Sequence, residues 1–123
     1  IIPIKTDRSV KTDVNLDRLK KISLEAIEQS GQYFLTNISE PLKLKDALEN
    51  ASGTKIFVMD MSNESFREES KDYPLSFFVG PEGGWTDDER SLCEESGATF
   101  VTLSQTTLRG ETAAIAAAYE SLR

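Results

Sequence analysis

Two loops carry most of the residues with chemistry to offer. The first, Gly80-Pro81-Glu82-Gly83-Gly84-Trp85, sets three glycines within five positions, which permits positive φ and close backbone approach, while Pro81 stiffens the turn. It is not a Walker phosphate loop, because no Gly-Lys-Ser/Thr follows, and it lacks the dinucleotide-binding spacing. A tight connection with no ligand is the plain structural alternative. The second, Leu103 to Ala114 (LSQTTLRGETAA), is a polar loop running into a helix of small residues. Both follow an apolar strand and precede a helix, the place where open α/β sheets bind ligands. Together they offer backbone N–H and C=O groups to a neutral, polar small molecule.

What the chain lacks narrows the chemistry further. There is no histidine, which removes Ser-His-Asp and Cys-His nucleophiles, histidine-ligated zinc and imidazole bases. Carboxylates, hydroxyls, Lys, Arg and backbone remain. Cys93 is the single cysteine; no intrachain disulfide forms, a reducing compartment is implied, and on a helix Cys93 reads as a small buried hydrophobe. Trp85 reads either as a packing anchor after a tight turn or as a platform for a base.

The elements that must position these loops alternate in type, predicting an α/β fold with a mostly parallel sheet and helices on both faces. Ile1 to Lys5 reads as a strand end. Asn15 caps a helix to about Ser30, with Leu16, Leu19, Ile22, Ala26 and Ile27 on one face and Gly31 as its stop. Leu42 to Asn50 reads as a short helix after Pro41. Lys55 to Met61 and Leu75 to Val79 are apolar runs suited to buried parallel strands. Thr86 and Glu89 form a capping box for a helix ending near Gly97. Ala98 to Leu103 is a strand, and Glu111 to Leu122 an Ala-rich helix with acid in its first turn.

With 123 residues, the chain fits one domain able to bury a core without disulfides or metal. It contains no apolar run of membrane-span length and no signal pattern, so a soluble, cytoplasmic protein with neither metal nor membrane partner is expected. The first residue is Ile1 rather than Met, so a fragment, a processed chain or a trimmed one is expected. The net charge of -7 argues against nucleic acid, but residues 1 to 21 hold a local balance of +3. A basic edge on an acidic body is compatible with RNA contact, and equally with two ordinary solvated faces.

FFVGPEGGWTDDE and LSQTTLRGETAAIAA, with DRSVK (Asp7 to Lys11) and EAIEQSG (Glu25 to Gly31) at the expected order, resemble the 16S ribosomal RNA uridine N3-methyltransferases of the SPOUT superfamily. The resemblance covers nearly the whole chain. It implies a C-terminal deep trefoil knot, an exception to ordinary unthreaded topology. It also implies S-adenosyl-L-methionine as cofactor, a homodimer formed through the Ala-rich helix, and 16S rRNA or the assembled small ribosomal subunit as substrate. By the same resemblance the pocket is supplied by Gly80, Pro81, Glu82, Gly83, Gly84, Leu103, Ser104, Leu108, Arg109 and Thr112, with Met61 beside them. Family members also carry an N-terminal PUA-like RNA-binding barrel, then a strand and helix, ahead of the segment matching Ile1 to Lys5. Residues 1-123 are therefore expected to be a partial methyltransferase domain with poor RNA affinity of its own.

Methylating N3 of uracil requires removing an imide proton and aligning the nitrogen with a sulfonium methyl group. An arginine can stabilise the uracil anion and a carboxylate can take the proton. Arg109 and Arg8 are the arginine candidates, with a structural ion pair as the alternative for each. Glu111 and Glu82 are the carboxylate candidates, although capping explains Glu111 almost as well. Glu25 and Gln29, one turn apart, are candidates to line the substrate site beside Arg8, or are an exposed polar stripe. Ser104 and Thr107 either contact the cofactor or shape the turn. Two other functions fit the same residues: an inactive RNA-binding or dimerisation module of this fold, and another nucleoside-ligand enzyme on an unknotted sheet.

Overall fold

The computed structural model describes residues 1–10, 13–61, 65–66 and 74–122. Lys11 of the DRSVK segment lies outside the described residues. The elements run β1 (Ile4–Lys5), α1 (Leu16–Ser30), β2 (Leu42–Lys43), α2 (Leu44–Asn50), β3 (Lys55–Met59), β4 (Leu75–Val79), α3 (Asp87–Glu95), β5 (Thr99–Val101) and α4 (Gly110–Leu122). Every strand pairing among them is parallel: β1 with β2, and β4-β3-β5 as a three-stranded sheet.

β3 is the central strand because it is apolar on both faces. Ile56, Phe57, Val58 and Met59 are all buried, the near-continuous apolar run expected of a covered parallel strand. Alternation then divides them. Ile56 and Val58 face Leu44, Ala47 and Leu48 of α2 and Cys93 of α3. Phe57 and Met59 face the other way, with Val101, Phe66 and Phe77. There the Phe57 ring meets Phe66 edge-on at 4.9 Å and stacks on Phe77 at 5.6 Å.

The register sets up the site. Met59 stands beside Val79 on one flank and beside Val101 on the other, so all three strands end together and release their following loops at one edge. β4 and β5 both neighbour β3, which separates their loops by about two strand spacings, roughly 10 Å.

Local signals explain most boundaries. The Asn15 side chain accepts from the Arg18 N–H at 2.9 Å to start α1, and Gly31 ends it at φ 68°. The expected apolar face of α1 is only partly covered: Leu16, Leu19 and Ile27 are half-buried, while Ile22 and Ala26 stay exposed. Thr86 and Glu89 form the reciprocal capping box of α3. Four expected boundaries need correction. The first helix after Pro41 begins at Leu44 rather than Leu42, because Leu42 and Lys43 pair with Ile4 and Lys5, and the Leu42 N–H donates to Pro3 O at 2.9 Å. For the same reason the strand read over Ile1 to Lys5 keeps only its last two residues. The strand after α3 is likewise shorter than Ala98 to Leu103, spanning Thr99–Val101, and β3 ends at Met59 rather than Met61.

Candidate cofactor cleft

The loops leaving β3, β4 and β5 enclose a cleft of about 390 Å³, within the size range of small-molecule sites. Its walls are largely apolar: Met59, Val79, Val101, Leu103, Leu108 and Ala113. The polar groups come from the glycine loop, from Thr102 to Gly110, and from three charged side chains, Asp60, Glu82 and Arg109.

The glycine loop is shaped by a turn and an anchor. The Gly84 N–H donates to Pro81 O at 2.9 Å, and Gly84 takes φ 72°, a conformation that side chains resist. Trp85 then turns inward, only 6% exposed, and its Nε1–H donates to Met59 O at 3.2 Å. Of its two expected roles the packing anchor is the one seen. Its ring also explains Gly80, where an added Cβ would lie 2.8 Å from Trp85 Cε2.

The second loop is tied to itself through hydroxyls. Thr102 Oγ1 donates to Ser104 O at 2.6 Å, and Ser104 Oγ accepts from the Thr106 N–H at 3.2 Å. These local bonds turn the chain back toward α4, whose first turn closes with the Ala113 N–H on Arg109 O at 2.8 Å. Ser104 and Thr107 both line the cleft, so turn-shaping and cleft-lining coincide at Ser104.

Asp60, just past β3, has both carboxylate oxygens engaged. Oδ1 accepts from the Met61 N–H at 2.8 Å, and Oδ2 pairs with Arg90 Nη1. The Arg90 guanidinium also lies 4.5 Å over the Phe100 ring. The hydrogen bond to Asp60 holds the Arg90 guanidinium in its charged form beyond its usual range. In α3, burial pushes the Cys93 thiol up to about 11, and it is fully enclosed; it sits in the core beside Val58.

Most of the residues expected in the pocket meet at this cleft. Met61, Gly80, Pro81, Glu82, Gly84, Leu103, Ser104, Leu108 and Arg109 all line it. Gly83 and Thr112 do not. Gly83 faces Arg8 instead: a Cβ there would lie 3.2 Å from Arg8 Cβ, and Arg8 Nη1 donates to Gly83 O at 2.7 Å. Arg8 therefore touches the glycine loop without lining the cleft. Thr112 and Glu111 are exposed on the first turn of α4, and Glu25 and Gln29 are exposed on α1; none of the four lines the cleft. The strand-end residues Met59, Val79 and Val101 and the carboxylate of Asp60 were missed by motif reading. The signal that finds the first three is positional, since the carboxyl ends of neighbouring parallel strands open onto one crevice.

The match to known proteins is consistent in sequence and in shape. A family model described as an RNA methyltransferase domain matches residues 1–120. The chain is 32% identical over 127 residues to the ribosomal RNA small subunit methyltransferase E of Rickettsia conorii, covering 95% of this chain and 50% of that protein. It is 31% identical over 121 residues to the protein of the same name from Aquifex aeolicus, covering 93% and 52%. The Neisseria gonorrhoeae ribosomal RNA small subunit methyltransferase E, crystallised with S-adenosyl methionine, superposes with TM-score 0.84 at 30% identity over 98% of this chain and 53% of that one. A probable rRNA methyltransferase from Porphyromonas gingivalis, at 18% identity and TM-score 0.86 over 95% and 52%, shares the fold. The chain thus spans about half the length of the relatives it matches. Sequence motifs, fold and family match agree, and the chain belongs to the RNA methyltransferase domain family.

Proposed function

We propose that this chain is the cofactor-binding part of an S-adenosyl-L-methionine-dependent enzyme that methylates N3 of a uridine in 16S rRNA. The observation carrying this reading is the convergence of both signature loops on one cleft at the shared carboxyl edge of β3, β4 and β5. The cleft suits an adenosyl group on its own chemistry. Leu103 and Leu108 offer apolar contact, and the glycine-loop backbone offers hydrogen bonds. The bound cofactor supplies an electrophilic methyl group.

The protein's residues then have placement and charge to provide. Arg109, exposed at the mouth of the cleft, is positioned to stabilise the anion left when the uracil imide loses its proton. Glu82, on the rim, is the carboxylate we assign as proton acceptor, because both Asp60 oxygens already hold partners. Glu111 lies outside the lining and serves the first turn of α4, where the helix dipole favours acid.

The same reading extends to assembly. Residues 1-123 form part of a SPOUT-type domain whose C-terminal segment makes a deep trefoil knot, and an N-terminal barrel in the whole protein supplies RNA contact. The homodimer packs through α4. That helix is supported as an interface by Ile115 and Tyr119, one turn apart and 71% and 62% exposed, flanked by alanines that allow close approach. The expected cytoplasmic location is compatible with the finding that no helix among the described residues is long and apolar enough to cross a membrane.

The test is transfer of labelled methyl from S-adenosyl-L-methionine to small ribosomal subunits by the full-length protein, with nucleoside mass spectrometry of the product. Appearance of 3-methyluridine supports the proposal. Saturable cofactor binding with no methylated nucleoside would contradict it and identify an inactive module.

A further inference from the structure

Glu89 is the charged side chain buried among the described residues, at 6% exposure. Capping α3 occupies one of its oxygens: Oε2 accepts from the Thr86 N–H at 2.9 Å. The other, Oε1, accepts from the backbone N–H of Asp7 at 2.8 Å, across 82 positions of sequence. The Thr86 hydroxyl in turn donates to Asp7 Oδ2 at 3.3 Å. The short turn holding Asp7 is closed on itself, with the Ser9 N–H on Thr6 O at 3.2 Å and the Thr6 and Ser9 hydroxyls 2.7 Å apart. The turn is therefore docked on the start of α3, next to the glycine loop. From it Arg8 lays its methylenes on Gly83 and donates Nη1 to Gly83 O at 2.7 Å.

We propose that Arg8 is a positioning residue that fixes the Gly80–Trp85 loop from outside the cleft, with Glu89 seating the turn that carries it. The proposal rests on the reading of the cleft as a cofactor site. A loop containing three glycines has many conformations to lose on binding, and holding it in the bound shape beforehand raises affinity. Trp85 anchors the loop from the core side through Met59 O. Arg8 supplies the second anchor, so its contribution is made before any RNA arrives.

Arg8→Met keeps most of the stem and removes the donors; Arg8→Lys restores one donor on a similar stem. Two measurements decide: amide hydrogen exchange at Gly84, whose N–H is bonded to Pro81 O, in ligand-free protein, and calorimetric titration with S-adenosyl-L-methionine in the absence of RNA. In Arg8→Met, Gly84 exchange rises about fivefold and cofactor Kd weakens about fivefold, as for loss of a charge-assisted hydrogen bond partly open to water. Arg8→Lys recovers part of both, and exchange in β3 stays unchanged. Unaltered Gly84 exchange overturns the proposal. So does unaltered cofactor affinity with slowed methyl transfer, which would assign Arg8 to RNA, and so does faster exchange throughout β3, which would make Arg8 a general stabiliser. Failure of the parent protein to bind cofactor would sink the reading of the cleft, while the exchange measurement would still decide the clamp.

Discussion

Replacing Gly80 by alanine tests the packing of the cleft wall directly. The new Cβ would stand 2.8 Å from Trp85 Cε2, 3.0 Å from Nε1 and 3.1 Å from Cζ2, whereas carbon atoms attract best at about 3.5–4.0 Å. The indole has to retreat by several tenths of an ångström, either into the core or at the expense of the cleft it also lines. It is 6% exposed in the same core cluster as Val58 and Cys93. Its bond to Met59 O is already 3.2 Å and weakens with further retreat. Overpacking of this kind costs about 1–3 kcal/mol, and the weakened hydrogen bond adds up to about 1 kcal/mol. A loss near 2–3 kcal/mol is expected, which lowers the urea midpoint by about 1–2 M for a protein of this size. Trp85 is the sole tryptophan, so its fluorescence reports the transition from the site itself. On a Trp85→Leu background, which has no ring atoms at the Nε1, Cε2 and Cζ2 positions, the same alanine should cost less than about 0.5 kcal/mol when followed by circular dichroism. An unchanged midpoint, or an equal loss in both backgrounds, refutes the steric reasoning.

Arg109→Ala should slow methyl transfer by roughly a hundredfold, as for loss of one charge-stabilising donor, while leaving cofactor affinity within about twofold; equal activity would remove Arg109 from the reaction. Burial raises the Cys93 thiol from 9.0 to about 11, so between those values the unfolded chain binds fewer protons than the folded one. Stability should therefore fall as pH rises through that window and be indifferent to this group below it. Urea midpoints of the parent and of Cys93→Ala, measured across that range, should diverge in slope; parallel profiles would rule the effect out. Ile115→Asp on α4 should convert the proposed dimer to monomer in sedimentation, and an unaffected dimer would place the interface elsewhere.

Sequence reading succeeded where signals were local. Asn15, Gly31 and the Thr86–Glu89 box each act within one turn, and β4 was read at its observed bounds from its apolar run. It failed where pairing was distant. Leu42 and Lys43 look helical until Ile4 and Lys5 arrive to pair with them. Nothing in the chain announces that Asp60 meets Arg90, 30 positions on, or that Arg8 finds a carbonyl 75 positions away. Arg8 was picked out for its charge, yet it spends that charge on backbone. The cleft was legible through its two glycine and polar loops, while its strand-end floor required the β3 register.

The central claim is that one cleft, bounded by Gly80–Trp85 and Leu103–Gly110, holds the adenosyl group. Titration of labelled protein with S-adenosylhomocysteine, followed by amide chemical shifts, tests it most directly. Saturable shifts centred on Met61, Gly80, Gly84, Leu103 and Leu108 are predicted; shifts centred on α1 or α2, or none at all, would contradict it.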